Sequence, residues 1–100
     1  DDLSGSFQEE DQLAVSHTVR LSREAEGDME KLAKSDRTLF DRLLRKIESL
    51  AEHPRAGKPL VADHKGEFSL RVGSYRIVYE VQDSSRTVFI LTVKHRKHVY

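Results

Sequence analysis

Cysteine and tryptophan are absent from this 100-residue chain, and there is a single methionine. Without thiols the fold can carry no disulfide staple and no cysteine nucleophile, which fits a reducing compartment. No apolar run is long enough to span a bilayer, and no charged-then-apolar leader opens the chain. A soluble, cytoplasmic protein without membrane contact is the expectation. There is also no internal repeat, no glycine-rich phosphate loop, no nucleophile elbow and no dinucleotide fingerprint. Five histidines are present, but their spacing does not make a metal site: His95 and His98 stand three apart where no helix is expected and no carboxylate is near. Neither a metal nor an organic cofactor is expected.

Charge is plentiful. Charged residues make up 34% of the chain and cancel to a formal net charge of zero. The cancellation is uneven along the sequence. Asp1, Asp2, Glu9, Glu10 and Asp11 face no Lys or Arg within residues 1–15, whereas residues 55–100 hold nine Lys and Arg against four Asp and Glu. A basic C-terminal half attracts phosphate. Residues 1–15 read as an acidic N-terminal extension, and residues 16–100 as one folded domain.

The hydrophobic pattern sets the element order. Ser16 to Leu21 alternates as a first strand, with His17, Val19 and Leu21 against Thr18 and Arg20. Ser22 suits a helix N-cap, followed by Glu24 and Glu26 where the helix dipole favours anions. Ala25, Met29, Leu32 and Ala33 then share one helical face. Ser35 and Asp36 restart a second helix, whose broad apolar stripe is Leu39, Phe40, Leu43, Leu44, Ile47, Leu50 and Ala51. Its charged residues read as a solvated face. His53-Pro54 stops it, because the residue before proline disfavours the helical region. Residues 53–66 read as a loop. Three strands follow at about 67–72, 75–82 and 87–94, with turns at Gly73-Ser74 and Asp83-Ser84-Ser85. A strand, a helical hairpin and a three-stranded antiparallel meander imply an α+β fold, with both helices packed on one face of one sheet.

Arginines recur within these strands. Cleaving RNA without a metal requires a base for the 2′-OH, an acid for the leaving oxygen, and fixed cations for the phosphoryl charge. Arginine suits the last role, because its planar fork matches phosphate and it stays charged. Arg76 is the first choice for phosphate contact, and Arg71 lies across a short turn from it. Arg96 stands beyond the last strand. His95 and His98 are available for proton transfer, with a reference pKa of ~6.5, and Tyr100 can stack on a base. Lys58 and Lys65 in the loop, and Lys94 and Lys97 in the terminal basic cluster, are the further expected RNA contacts. Each also has an ordinary role: a surface arginine packs its stem on a sheet, and a terminal tyrosine frays.

The stretches L-R-V-G-S-Y-R-I-V-Y-E-V and V-F-I-L-T-V-K-H-R-K-H-V-Y resemble the RelE/ParE superfamily of toxins from toxin–antitoxin pairs. The resemblance covers about Ser16 to Tyr100 and includes the element order. RelE-type members are endoribonucleases that cut mRNA in the ribosomal A site. The resemblance therefore implies metal-independent attack by the 2′-OH, with mRNA, the 70S ribosome and a cognate RelB-like antitoxin as partners. It implies that Arg76 stabilises the phosphate, that Arg96 acts as acid or leaving-group stabiliser, and that Tyr100 acts as base or stacking group. Some members carry two basic residues on the second strand; here Arg71 matches one and Ser69 occupies the other. ParE-type members share the fold but inhibit DNA gyrase, and a third class is a binding module without activity.

Overall fold

The computed structural model describes residues 16–60 and 66–98. The expectations for residues 1–15, and for the side chains of Lys65, His98 and Tyr100, lie outside the described residues.

The chain forms a five-stranded sheet with two helices on one face. Strand β1 (Thr18–Leu21) leads into α1 (Arg23–Ser35) and α2 (Arg37–Ser49). A two-residue strand β2 (Lys58–Pro59) precedes β3 (Glu67–Val72), β4 (Tyr75–Gln82) and β5 (Thr87–His95). The sheet order is β1-β5-β4-β3-β2. The meander β3-β4-β5 is antiparallel, as the hairpin turns require. Two features go beyond the expectation. Strand β1 pairs parallel to β5, because the helical hairpin returns the chain to the same end of the sheet before the meander begins. The segment read as a loop also contributes β2, antiparallel to β3.

Caps fix the helix ends where the sequence placed them. The Ser22 hydroxyl accepts from the Ala25 N–H at 3.0 Å and donates to the Leu91 carbonyl at 2.7 Å, tying α1 to β5. Asp36 closes α1 with its backbone N–H and caps α2 with its carboxylate, which accepts from Leu39 N–H at 3.1 Å. One residue therefore makes the hairpin corner.

The core lies between the helices and the inner sheet face. Ala25, Met29, Leu32, Leu43, Ile47 and Leu50 meet Val72, Ile77, Tyr79, Val88, Ile90 and Val93. Burial of this apolar surface, worth ~25 cal/mol per Å2, is the main stabilising term. A register shift between Val78 and Tyr79 against β5 leaves Leu91 as the extra residue, so Ile90 and Val93 both reach the core. One polar residue is buried with them: Asp28, 9% exposed.

Candidate functional site

The meander sets the site. Leu70, Val72, Ile77 and Val93 pack toward the helices, so period-two alternation turns Arg71, Arg76 and Lys94 to the opposite face, left uncovered by the described helices. Arg71 is in register with Arg76, and Arg76 with Lys94. Ser69, two residues from Arg71, is in register with Lys58 of β2. Lys58, Ser69, Arg71 and Arg76 line one groove of about 580 Å3, walled by Ala56, Gly57, Pro59, Leu60 and Leu70. Three cations around a concave surface suit a phosphate backbone better than a neutral ligand.

The expected residues divide by place. Lys58, Arg71 and Arg76 meet in the groove. Arg96 sits in a short turn, Arg96–His98, after β5, and its N–H donates to Ser74 O at 2.8 Å. Arg96 and Lys97 therefore stand, exposed, at the end of the sheet where the β3–β4 turn lies.

Two of the expected residues stand apart from the groove. Lys94 starts on the uncovered face, but its ammonium turns around the β5 edge to Asp28 at 2.8 Å and Glu24 at 3.1 Å. Its charge is already compensated there, and it is not part of the groove. His95 alternates to the helix side, in register with Tyr75. Its ring meets the Tyr75 ring edge-on at 5.5 Å between centroids, and its Nδ1 accepts from Lys97 N–H at 3.2 Å. It lines a separate groove of about 560 Å3 with Asp28, Lys31, Leu32 and Ser35.

Sequence reading missed two residues that shape the groove. Tyr79 is fully buried, stacks on Phe68 at 5.5 Å, and accepts the Gly57 N–H on its phenol oxygen at 2.9 Å. Burial raises the phenol pKa above its ordinary value, against the opposing pull of the Gly57 bond and the Arg55 charge, so the group stays protonated. Gly57 fits because it has no side chain: a Cβ there would stand 2.6 Å from Ser69 O and 2.9 Å from the Tyr79 phenol oxygen. This close approach holds β2 over β3 and places Lys58 beside Ser69. No local pattern announces a bond spanning residues 57 to 79. Gly57→Ala is expected to cost about 1–3 kcal/mol through overpacking. It should also loosen β2, read as faster hydrogen exchange at Leu60, whose N–H donates to Glu67 O. Unchanged exchange at Leu60 would show that the close approach does not hold β2.

Further from the groove, Asp83 accepts from Arg55 and from His17 Nε2 at 3.4 Å. The Arg55 bond, and then the His17 bond, hold its carboxyl below the ordinary range. This cluster pins the α2–β2 segment to the β4–β5 turn. Among the described residues no three His, Asp or Glu side chains converge as metal ligands, and no described helix is long and apolar enough to cross a membrane.

Comparison with known proteins bears on the family and the fold. The family described as ParE toxin of type II toxin–antitoxin systems, parDE, matches residues 19–100. Toxin RelG of Mycobacterium tuberculosis is 39% identical over 85 residues, covering 84% of this chain and 95% of that protein. The RelBE2 toxin–antitoxin complex of the same organism contains a chain 37% identical, with a TM-score of 0.72 over 82% of this chain and 100% of that one. The YoeB/ParE toxin of Agrobacterium tumefaciens, 22% identical, shares the fold with a TM-score of 0.70 over 78% of this chain and 96% of that one. A family match across all the described elements but the first residues, together with a curated relative at this identity, leaves one conclusion: the chain belongs to the RelE/ParE superfamily of toxins from type II toxin–antitoxin systems.

Proposed function

We propose that this chain is a ribosome-dependent mRNA endoribonuclease, cutting in the A site by attack of the ribose 2′-OH on the adjacent phosphorus, without a metal. The observation that carries this reading is the cross-strand register of Arg71 and Arg76, which share one groove with Lys58. Two guanidinium groups fixed on paired strands offer preorganised positive charge where the phosphoryl oxygens become more negative. Placement on strands rather than loops keeps reorganisation small. The family resemblance implies that the proton steps fall to Arg96, as acid or leaving-group stabiliser, and to Tyr100, as base or stacking group.

A cognate antitoxin is the proposed protein partner. Its support is that similar chains were solved in the RelBE2 complex of Mycobacterium tuberculosis and the RelBE complex of Escherichia coli. Action on translating ribosomes places the chain in the cytoplasm.

The match to a family described by its ParE member supports a second reading, inhibition of DNA gyrase. A translation reaction with defined mRNA separates the two, run beside a gyrase supercoiling assay. Codon-phased cuts mapped by primer extension are expected. Loss of supercoiling without cuts would replace the nuclease reading with the gyrase one, and neither effect would leave a binding module.

A further inference from the structure

A second cationic surface lies outside the groove just described. On α2, Arg42, Arg45, Lys46 and Ser49 fall at i, i+3, i+4 and i+7, on one flank of the helix. With Val72 of β3 they line a groove of about 350 Å3. All three cations are exposed, and none has an acidic partner among the described residues. By contrast, Arg37 on the same helix pairs with Asp41 at 3.4 Å. Like charges three and four residues apart destabilise a helix. Arg42 faces two such neighbours, and the fold gains nothing visible from them.

The place of this flank matters as much as its charge. Val72 borders the α2 groove, and Arg71, the preceding residue, borders the groove on the uncovered face. Strand β2 pairs with β3 only at Ser69 and Phe68, so β3 from Leu70 to Val72 has no outer strand among the described residues. The two cationic grooves thus open on either side of one sheet edge.

We infer that the α2 flank is a second RNA-backbone contact, which takes the phosphates of a base-paired segment flanking the single strand held by Arg71 and Arg76. The inference rests on the reading of the chain as an RNA-cleaving toxin. Phosphate fits better than an acidic protein segment for two reasons. The one apolar side chain in the lining, Val72, is only 6% exposed, and the others are Arg42, Arg45, Lys46 and Ser49, whereas protein interfaces bury an apolar centre. Two of the three cations are arginines, whose forks match phosphate oxygens.

The test compares two RNAs, both 2′-O-methylated so that neither is cut. One is a single-stranded tetranucleotide that fills the uncovered groove. The other is a stem-loop carrying the same four nucleotides as a tail. The variant is Arg42→Gln with Arg45→Gln and Lys46→Gln, which keeps helix propensity; circular dichroism checks that the fold persists. The variant is expected to bind the tetranucleotide like the parent chain. Its salt slope on the stem-loop should be shallower by about 2–3, from ~0.9 per lost duplex phosphate contact. An unchanged stem-loop slope overturns the inference. So does a variant that keeps stem-loop binding but loses binding to a poly-glutamate probe, which would assign the flank to an acidic protein. A tetranucleotide that fails to bind the parent chain separately removes free-RNA binding from the Arg71–Arg76 groove, the translation reaction decides the nuclease reading, and the stem-loop slope still decides the role of α2.

Discussion

Arg76→Ala is expected to slow RNA cleavage by about 10²- to 10³-fold, the cost of losing one fixed donor to a developing oxyanion, equivalent to ~3–4 kcal/mol. The thermal midpoint should stay close to that of the parent chain. The separation follows from position. Arg76 sits on the uncovered face, in register with Arg71 and Lys94, while its neighbours Tyr75 and Ile77 carry the packing toward the helices. Substitutions on such a face change stability by about 0.5 kcal/mol or less. Arg76→Lys tests what the guanidinium contributes. It keeps the charge but loses the planar fork, so an intermediate rate is expected. Arg71→Ala should weaken cleavage in the same direction, and the pair should not be additive if both forks hold one phosphate. Primer extension on mRNA from a translation reaction reads the three single variants and the double variant beside the parent. Parent-like cleavage by Arg76→Ala would remove the groove from the chemistry. Toxicity that persists without cuts would point to gyrase.

The elements were legible because each has a local cause. Ser22 and Asp36 are each followed at helical spacing by an apolar stripe; Ser22 caps α1 as expected, and Asp36, read with Ser35 as restarting the helix, caps α2. Gly73, at φ +60°, makes the β3–β4 turn that the Gly-Ser pair implied. The pairing of Arg71 with Arg76 could be read from strand alternation plus that tight turn. What was not legible has distant causes. The parallel pairing of β1 with β5 depends on where the helical hairpin returns the chain. Strand β2 is two residues long and exists because Tyr79 and Gly57 meet across 22 positions. The extra residue at Leu91 shifts which neighbours face the core, and no single-strand pattern reveals it. Lys94 looked like one more cation in a basic cluster, and its partner lies 66 residues earlier. Local spacing reports which face a side chain starts on. It does not report whether another element has already claimed the charge.

Asp28→Ala should produce the largest loss of stability among polar substitutions, about 2–3 kcal/mol. For a domain of this size that lowers the midpoint by roughly 10–20 °C. Beyond Leu21 no strand among the described residues covers the outer edge of β5, because α1 begins there. Asp28 takes the place of the missing strand: one carboxylate oxygen accepts the Val93 N–H at 3.0 Å and the other the Lys94 ammonium at 2.8 Å. Alanine leaves the Val93 N–H buried without its acceptor, and Lys94 with Glu24 alone. Asp28→Asn keeps an acceptor but not the charge, and an intermediate loss is expected. The pair also predicts a pH signature. The bond to Asp28, and then that to Glu24, raise the Lys94 pKa above its ordinary 10.5. A pKa raised on folding stabilises fully below the unfolded value and ceases to do so as pH climbs through the folded one. Parent stability should therefore fall above about pH 10.5, and Asp28→Ala should flatten that fall. Urea unfolding at neutral and alkaline pH measures both effects. Equal midpoints for parent and variant would mean that water reaches the Val93 N–H, and that the β5 edge is held by the Ser22 bonds instead.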